Sequence, residues 1–199
     1  MDIIQRQKIQ ELIKPQTDLE FRIVTHSDFV DGCNYGKPRK GHPEGQVLYH
    51  VLEVLENVEK FYKDDGDYES LRLIALIHDS FKYKVDRTKP KCGENHHGMI
   101  ARRFAEYFVR NTKILNIIEL HDEAYNSWCK GDRDGKWDKA EVRAKALIKK
   151  LESINAMELY IKFYCCDNNT GDKSQNNYDW FVEQCKRCSS PTAGGVFLR

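Results

Sequence analysis

The 199 residues carry 32 basic and 31 acidic side chains, a formal net charge of +1, so no strong field marks nucleic acid or a membrane surface as the partner. A hydrophobic share of 40% allows a real core in one domain of ordinary size, while apolar runs such as Leu71 to Ile77 are far too short to cross a bilayer. An odd set of seven cysteines, a chain long enough to fold without staples and an opening MDIIQRQK that lacks a signal-peptide core point to reduced thiols in a cytoplasmic protein. Cys165-Cys166 would make a strained bridge, and the lone pair Cys185-x-x-Cys188 has no second pair with which to build a zinc site.

Helical periodicity dominates the chain and strand alternation is almost absent, so the expected fold class is all-α. Ile3 to Ile13 reads as an amphipathic helix stopped by Pro15. Residues 26–45 hold Asp31-Gly32, Gly36, Pro38, Gly41, Pro43 and Gly45 and read as a loop. Val47 to Phe61 follows with Val47, Val51, Val54, Leu55, Val58 and Phe61 on one side. After a turn at Asp64 to Asp67, the segment Leu71 to Asp79 is apolar on nearly all sides and is expected as a buried central helix. Residues 84–95 read as a polar loop, and His97 to Arg110 and Ile114 to Ser127 as two helices. Asp132-x-Asp134-Gly135 resembles the start of a calcium loop, but the glycine comes too early and Arg143 stands where the terminal acid belongs, so it is read as a turn. Ala140 to Asp167 is a long helix or a broken pair, Asn177 to Cys188 a last short helix, and residues 189–199 a loose tail.

His50, His78-Asp79, His96-His97, His121 and Asp167 are placed along these helical segments. Divalent metals bind imidazole nitrogen and carboxylate oxygen, and a two-metal site needs roughly four to six such groups with open positions for water and substrate. Asp79 is the most informative member: a charge directly after Leu-Ile-Ala-Leu-Ile is costly unless it is paired or meets a cation. Asp167 follows the apolar residues Met157, Leu159, Ile161, Phe163 and Tyr164, and His121 follows Ile117, Ile118 and Leu120. Taken singly, each has an ordinary explanation as a hydrogen-bonded histidine or a solvated acid; the set carries the weight. His26 and His42 read as ordinary loop histidines.

In order and spacing this set resembles the HD-domain superfamily of metal-dependent phosphohydrolases. Leu73 to Lys82, LIALIHDSFK, resembles the central motif in its HDxxK variant, through Lys82. The resemblance covers roughly residues 42–185. It implies a helical bundle with a metal site between helices. On that pattern His50, His78, Asp79 and Asp167 hold one metal, with Asp79 as the bridge if a second is present. Two further histidines resemble the binuclear branch: His121, and either His96 or His97, with His96 favoured by its distance to Ile100-Ala101. The GYP signature of the cyclic-dinucleotide phosphodiesterases is absent. Residues 1–188 are then a single HD-like helical domain and 189–199 a flexible C-terminal tail.

The implied activity is hydrolysis of a phosphomonoester or phosphodiester, on a nucleotide or another small phosphorylated metabolite, by metal-activated water. One or two divalent ions are implied, Mn, Fe, Co, Mg, Ni or Zn. Asp79 and Lys82 are the catalytic candidates. Lys82, Lys173 and Arg39 are the candidate contacts to an anionic substrate, and Lys37, Arg39 and Lys40 could form a mobile lid. Two alternatives share the ligand pattern: a diiron oxygenase similar to inositol oxygenase, and a non-catalytic nucleotide-sensing module. No membrane partner is expected.

Overall fold

The computed structural model describes residues 3–40 and 43–188; His42 and the expected tail at 189–199 lie outside them. Eleven α-helices carry the described chain, with two short 3₁₀ helices and no strand among the described residues. In order they are α1 (Ile3–Ile13), α2 (Asp18–Val24), α3 (Ser27–Cys33), α4 (Val47–Tyr62), α5 (Tyr68–Ile77), α6 (His97–Ala105), α7 (Thr112–Leu120), α8 (Glu123–Asp132), α9 (Trp137–Ser153), α10 (Met157–Asn168) and α11 (Asn176–Cys188). The fold is all-α, as the periodicity implies. No described helix is long and apolar enough to cross a membrane. All seven cysteines are free, and burial pushes the thiols of Cys33 and Cys185 up to about 12.

The described residues cluster into two units, one drawn from Met1–His121 and Glu158–Lys173, the other from Asp122–Met157 and Ser174–Arg199. In the first, α5 is the buried helix that its composition predicts: Leu71, Ile74, Ala75, Leu76 and Ile77 are all inaccessible. Its one buried charge, Arg72, is matched by Glu20 of α2, with Nε donating to Oε1 at 2.7 Å and Nη2 to Oε2 at 2.9 Å. Both side chains are buried, so either one alone would leave an unpaired charge in the core. Helix α4 turns Val47, Leu48, Val51, Val54, Leu55 and Val58 inward, and His50 with them. Asn57, on α4, donates to the carbonyls of Cys166 and Asn169, each at 2.9 Å, and so fixes the end of α10 beside α4. Lys162 is buried on α10 and donates to Asp65 and Asp67 in the turn before α5, each at 2.9 Å.

In the second unit α8 and α9 are joined by the Arg143–Glu123 pair, with Nη2 donating to Oε2 at 2.7 Å. Gly131 lies under the Trp137 ring, where a Cβ would come within 2.1 Å of Cε3. The Asp132–Gly135 segment is the turn that ends α8, with Lys130 and Asp134 paired at 3.1 Å.

Several boundaries differ from the sequence reading. Helix α3 lies inside the stretch expected as loop. Its Gly32, taken for a breaker, is a packing glycine: a Cβ there would sit 1.7 Å from the Ser80 carbonyl oxygen. His26 caps this helix, its Nδ1 accepting the Asp28 N–H at 3.2 Å. The expected helix Ile114 to Ser127 is two helices, parted at His121-Asp122, and α6 stops at Ala105 short of Arg110. The stretch Ala140 to Asp167 is the broken pair, α9 and α10, turned at Asn155 with φ 51.

Gly32→Ala is expected to lower stability by about 1–3 kcal/mol, because the new methyl meets backbone that cannot swing aside. Urea unfolding should show a lower midpoint at unchanged slope; an unchanged midpoint would disprove the close approach.

Candidate metal centre

The site begins where α5 ends. His78 is the C-cap, its N–H donating to Ile74 O at 3.0 Å. Ser80 then turns the chain, its N–H bonding Ile77 O at 3.2 Å and its hydroxyl bonding Leu76 O at 2.6 Å. The turn lets adjacent residues face one cleft, although on a continuing helix they would diverge by about 100°. His50 comes from the first turn of α4, His97 from the first residue of α6, His121 from the C-cap of α7, and Asp167 from the last turn of α10.

Six donors form two groups, His50–His78–Asp167 and Asp79–His97–His121, and within each group one ligand atom per residue lies within 4.8 Å of the others. In the first, Asp167 Oδ1 is 3.0 Å from His50 Nε2 and 3.9 Å from His78 Nε2, and the two ring nitrogens are 3.2 Å apart. In the second, His97 Nε2 and His121 Nε2 are 3.1 Å apart. Asp79 spans both groups. Its Oδ2 lies 3.6 Å from His50 Nε2 and 3.7 Å from His78 Nε2, while Oδ1 lies 3.2 Å from His121 Nε2 and 3.5 Å from His97 Nε2.

The tautomers follow from the second nitrogen of each ring. His78 Nδ1 meets the Ala75 carbonyl at 3.0 Å and His121 Nδ1 meets the Ile118 carbonyl at 2.8 Å. A carbonyl only accepts, so in each neutral ring Nδ1 carries the proton and Nε2 offers a lone pair to the cleft. Ligating histidines are oriented in the same way. Burial lowers His78 to about 3 and lowers His97 as well, so both rings are neutral near pH 7.

At His78 and His121, ring lone pairs therefore face the carboxylate oxygens with no proton between them. Two donors about 2.1 Å from one cation lie roughly 3.0–3.4 Å apart, which most of these separations approach. The residues fit one divalent ion in each group, with Asp79 facing both.

Two lysines support the carboxylates. Burial pushes Asp79 up, but Lys82, in direct contact with Oδ2, opposes it, and the carboxyl is held well below its ordinary value. At Asp167, burial again raises and Lys173 and His50 lower, with the same net direction. Lys173, expected at a substrate phosphate, is engaged by Asp167 instead, donating to its carbonyl at 2.8 Å and to Oδ1 at 3.0 Å.

The structure thus brings together His50, His78, Asp79, His97, His121, Asp167 and Lys82. His96, favoured over His97 by spacing, is the N-cap of α6, and its Nδ1 accepts the Gly98 N–H at 3.2 Å. The ring that meets Asp79 and His121 is that of His97. The groups open on a cavity of about 370 Å³, whose lining includes His50, Asp79, His97, Lys82 and Arg39. Three charged lining residues were not singled out from the sequence: Glu44, Arg87 and Lys91. The Glu44 side chain is only 5% exposed and lies 3.7 Å from His50 Nδ1. It follows the proline of the glycine-rich loop, and nothing in its sequence setting announces burial.

The chain belongs to the HD-domain family: the family's model matches residues 47–157, more than half of its length. This is a family of metal-dependent hydrolases. The matched segment takes in His50, His78, Asp79, Lys82, His97 and His121 and ends before Asp167, whose place beside His50 and His78 rests on the geometry above. No curated protein and no solved structure matches the chain.

If the groups act as described, the protein loaded with Mn²⁺ and desalted should hold two ions per chain. His121→Ala should remove one, Asp167→Ala should weaken the other, and Asp79→Ala should lose most of both. Elemental analysis of the four proteins checks this, and full metal content in Asp79→Ala would exclude its bridging position. Because the ligands must be deprotonated, affinity should fall as pH is lowered through the range where the histidines protonate.

Proposed function

We propose that the chain is a metal-dependent phosphohydrolase acting on a nucleotide or another small phosphorylated metabolite. The observation that carries this reading is the cation at the acidic floor of the cavity: Lys82 touches Asp79 Oδ2 and is itself part of the lining. When bound, divalent ions lower the pKa of a water and neutralise phosphate oxygens.

The residues of this chain then have separate tasks. His50, His78 and Asp167, and His97 and His121, would hold the ions, with Asp79 facing both groups. The carbonyls of Ala75 and Ile118 keep the Nε2 lone pairs of His78 and His121 aimed at the cleft. Lys82, outside the ligand groups but within reach of their carboxylate, meets the charge that grows on the phosphoryl oxygens. In the reaction a water oxygen bonds to phosphorus, the ester P–O bond breaks, and a proton ends on the leaving oxygen.

A diiron oxygenase shares this ligand set, and a nucleotide sensor needs only the cavity. The phosphate reading is preferred because the lining places Lys82, Arg39, Arg87 and Lys91 around one opening. The test is phosphate release from a panel of nucleotides and sugar phosphates with Mn²⁺, Co²⁺, Mg²⁺ or Fe²⁺. Release that depends on the metal supports the hydrolase. No release with any metal, together with oxygen consumption by the iron form, supports the oxygenase.

Lys82→Ala is expected to lower turnover by about 10²–10³, the usual effect of removing one group that stabilises transition-state charge, while metal content stays near wild type. Turnover and metal content measured on one preparation decide it; undiminished turnover returns Lys82 to a structural partner of Asp79.

A further inference from the structure

We propose that the mouth of this cavity is a second anion-binding subsite, formed by Arg39, Arg87 and Lys91, which receives a second phosphoryl group of the substrate, separate from the one hydrolysed. The inference rests on the phosphohydrolase reading and narrows its substrate class to small molecules with two phosphoryl groups.

The charges of the lining are sorted by depth. Its two carboxylates, Glu44 and Asp79, are buried with the histidines, each side chain 5% exposed. Arg39, Arg87 and Lys91 are exposed, so they stand at the opening. Lys82 is intermediate and already occupied with Asp79. A single phosphate at the floor is accounted for by the metal groups and Lys82. Three cations at the mouth remain, in a chain whose total charge is close to balanced.

The segments that carry them are shaped. Residues 86–95 contain only one 3₁₀ turn, yet Asn95 pins the run. Its Oδ1 accepts the Asp86 N–H at 2.9 Å, and its Nδ2 donates to the carbonyls of Asp86 at 2.9 Å and Pro90 at 3.0 Å. Arg87 Nη2 donates to the Tyr35 hydroxyl at 3.0 Å, and the Tyr35 carbonyl accepts the Val47 N–H at the head of α4 at 2.8 Å. Arg87 is thereby tied to the loop on which Arg39 lies. That loop closes where Gly36 and Gly45 meet: both have positive φ, and a Cβ on Gly36 would lie 2.3 Å from Gly45 O. Two arginines favour phosphate, because a planar guanidinium matches phosphate oxygens two at a time. The volume of about 370 Å³ is near the lower end of the roughly 300–1,000 Å³ typical of small-ligand sites, large enough for two phosphates on a compact scaffold.

The test compares glycerol 3-phosphate, 3-phosphoglycerate and 2,3-bisphosphoglycerate, and fructose 6-phosphate with fructose 1,6-bisphosphate. The metal-loaded wild type should favour the bisphosphate of each set in kcat/KM by about tenfold or more, the value of one good charge-assisted contact. The double variant Arg87→Gln/Lys91→Gln, and separately Arg39→Gln, should reduce that ratio toward one. Equilibrium binding of the same compounds, without added metal, gives an arm that needs no turnover. Tighter bisphosphate binding that the variants abolish, with no phosphate release under any metal, would keep the subsite and end the hydrolase reading. Phosphate release with no bisphosphate preference would do the reverse. An equal gain from the carboxylate of 3-phosphoglycerate would overturn the assignment to phosphate.

Discussion

A buried carboxylate at the end of the most apolar helix is the constraint around which the first unit is built. Asp79 is charged and almost inaccessible, and one anion in such a place is strongly unfavourable without compensation. The protein surrounds it with one ammonium group and four imidazole rings, with one oxygen turned to each pair of rings. His78 and His121 spend their Nδ1 protons on backbone carbonyls, so their Nε2 atoms reach the cleft as lone pairs. Electron-rich atoms gathered in this way need cations between them, and the family to which the chain belongs supplies them as divalent metals.

Helix ends deliver the donors, and the packing of those helices fixes their spacing. His78 caps α5, His121 caps α7, His97 opens α6 and Asp167 lies in the last turn of α10. At such positions the helical ladder no longer dictates the path of the chain, so neighbouring side chains can turn into one cleft. The supporting contacts are made by residues other than the donors: Arg72 with Glu20, Asn57 with the end of α10, and Gly32 against Ser80. The Gly32 contact bears most directly on the site, since Ser80 follows Asp79.

Much of this is legible in the sequence. The all-α class and the buried α5 follow from periodicity, and an acid or histidine that ends an apolar run marks His78, Asp79, His121 and Asp167. What escaped depends on tertiary structure. His96 and His97 are adjacent, and which one faces Asp79 is set by where α6 begins. Gly32 looks like a turn residue because its partner, the Ser80 carbonyl, is far away in sequence. Glu44, Arg87 and Lys91 lie in polar, charged loops where every side chain is expected to be solvated. Only the folded structure shows that they line one cavity. Lys173, a candidate substrate contact in its loop, has no visible partner until Asp167 is placed beside it.

The proposed function rests on the layering of charge in that cavity: acid and imidazole at the floor, Lys82 above them, guanidinium and ammonium groups at the mouth. The floor suits cations and the upper wall suits anions, which is the arrangement phosphoryl transfer to water requires. The central claim is that Asp79 lies between two ions. X-ray absorption on the Mn²⁺-loaded protein tests it most directly. The account predicts a metal–metal scattering shell at about 3.5–4 Å that disappears in Asp79→Ala. Two bound ions with no such shell, or an unchanged shell in the variant, would contradict it.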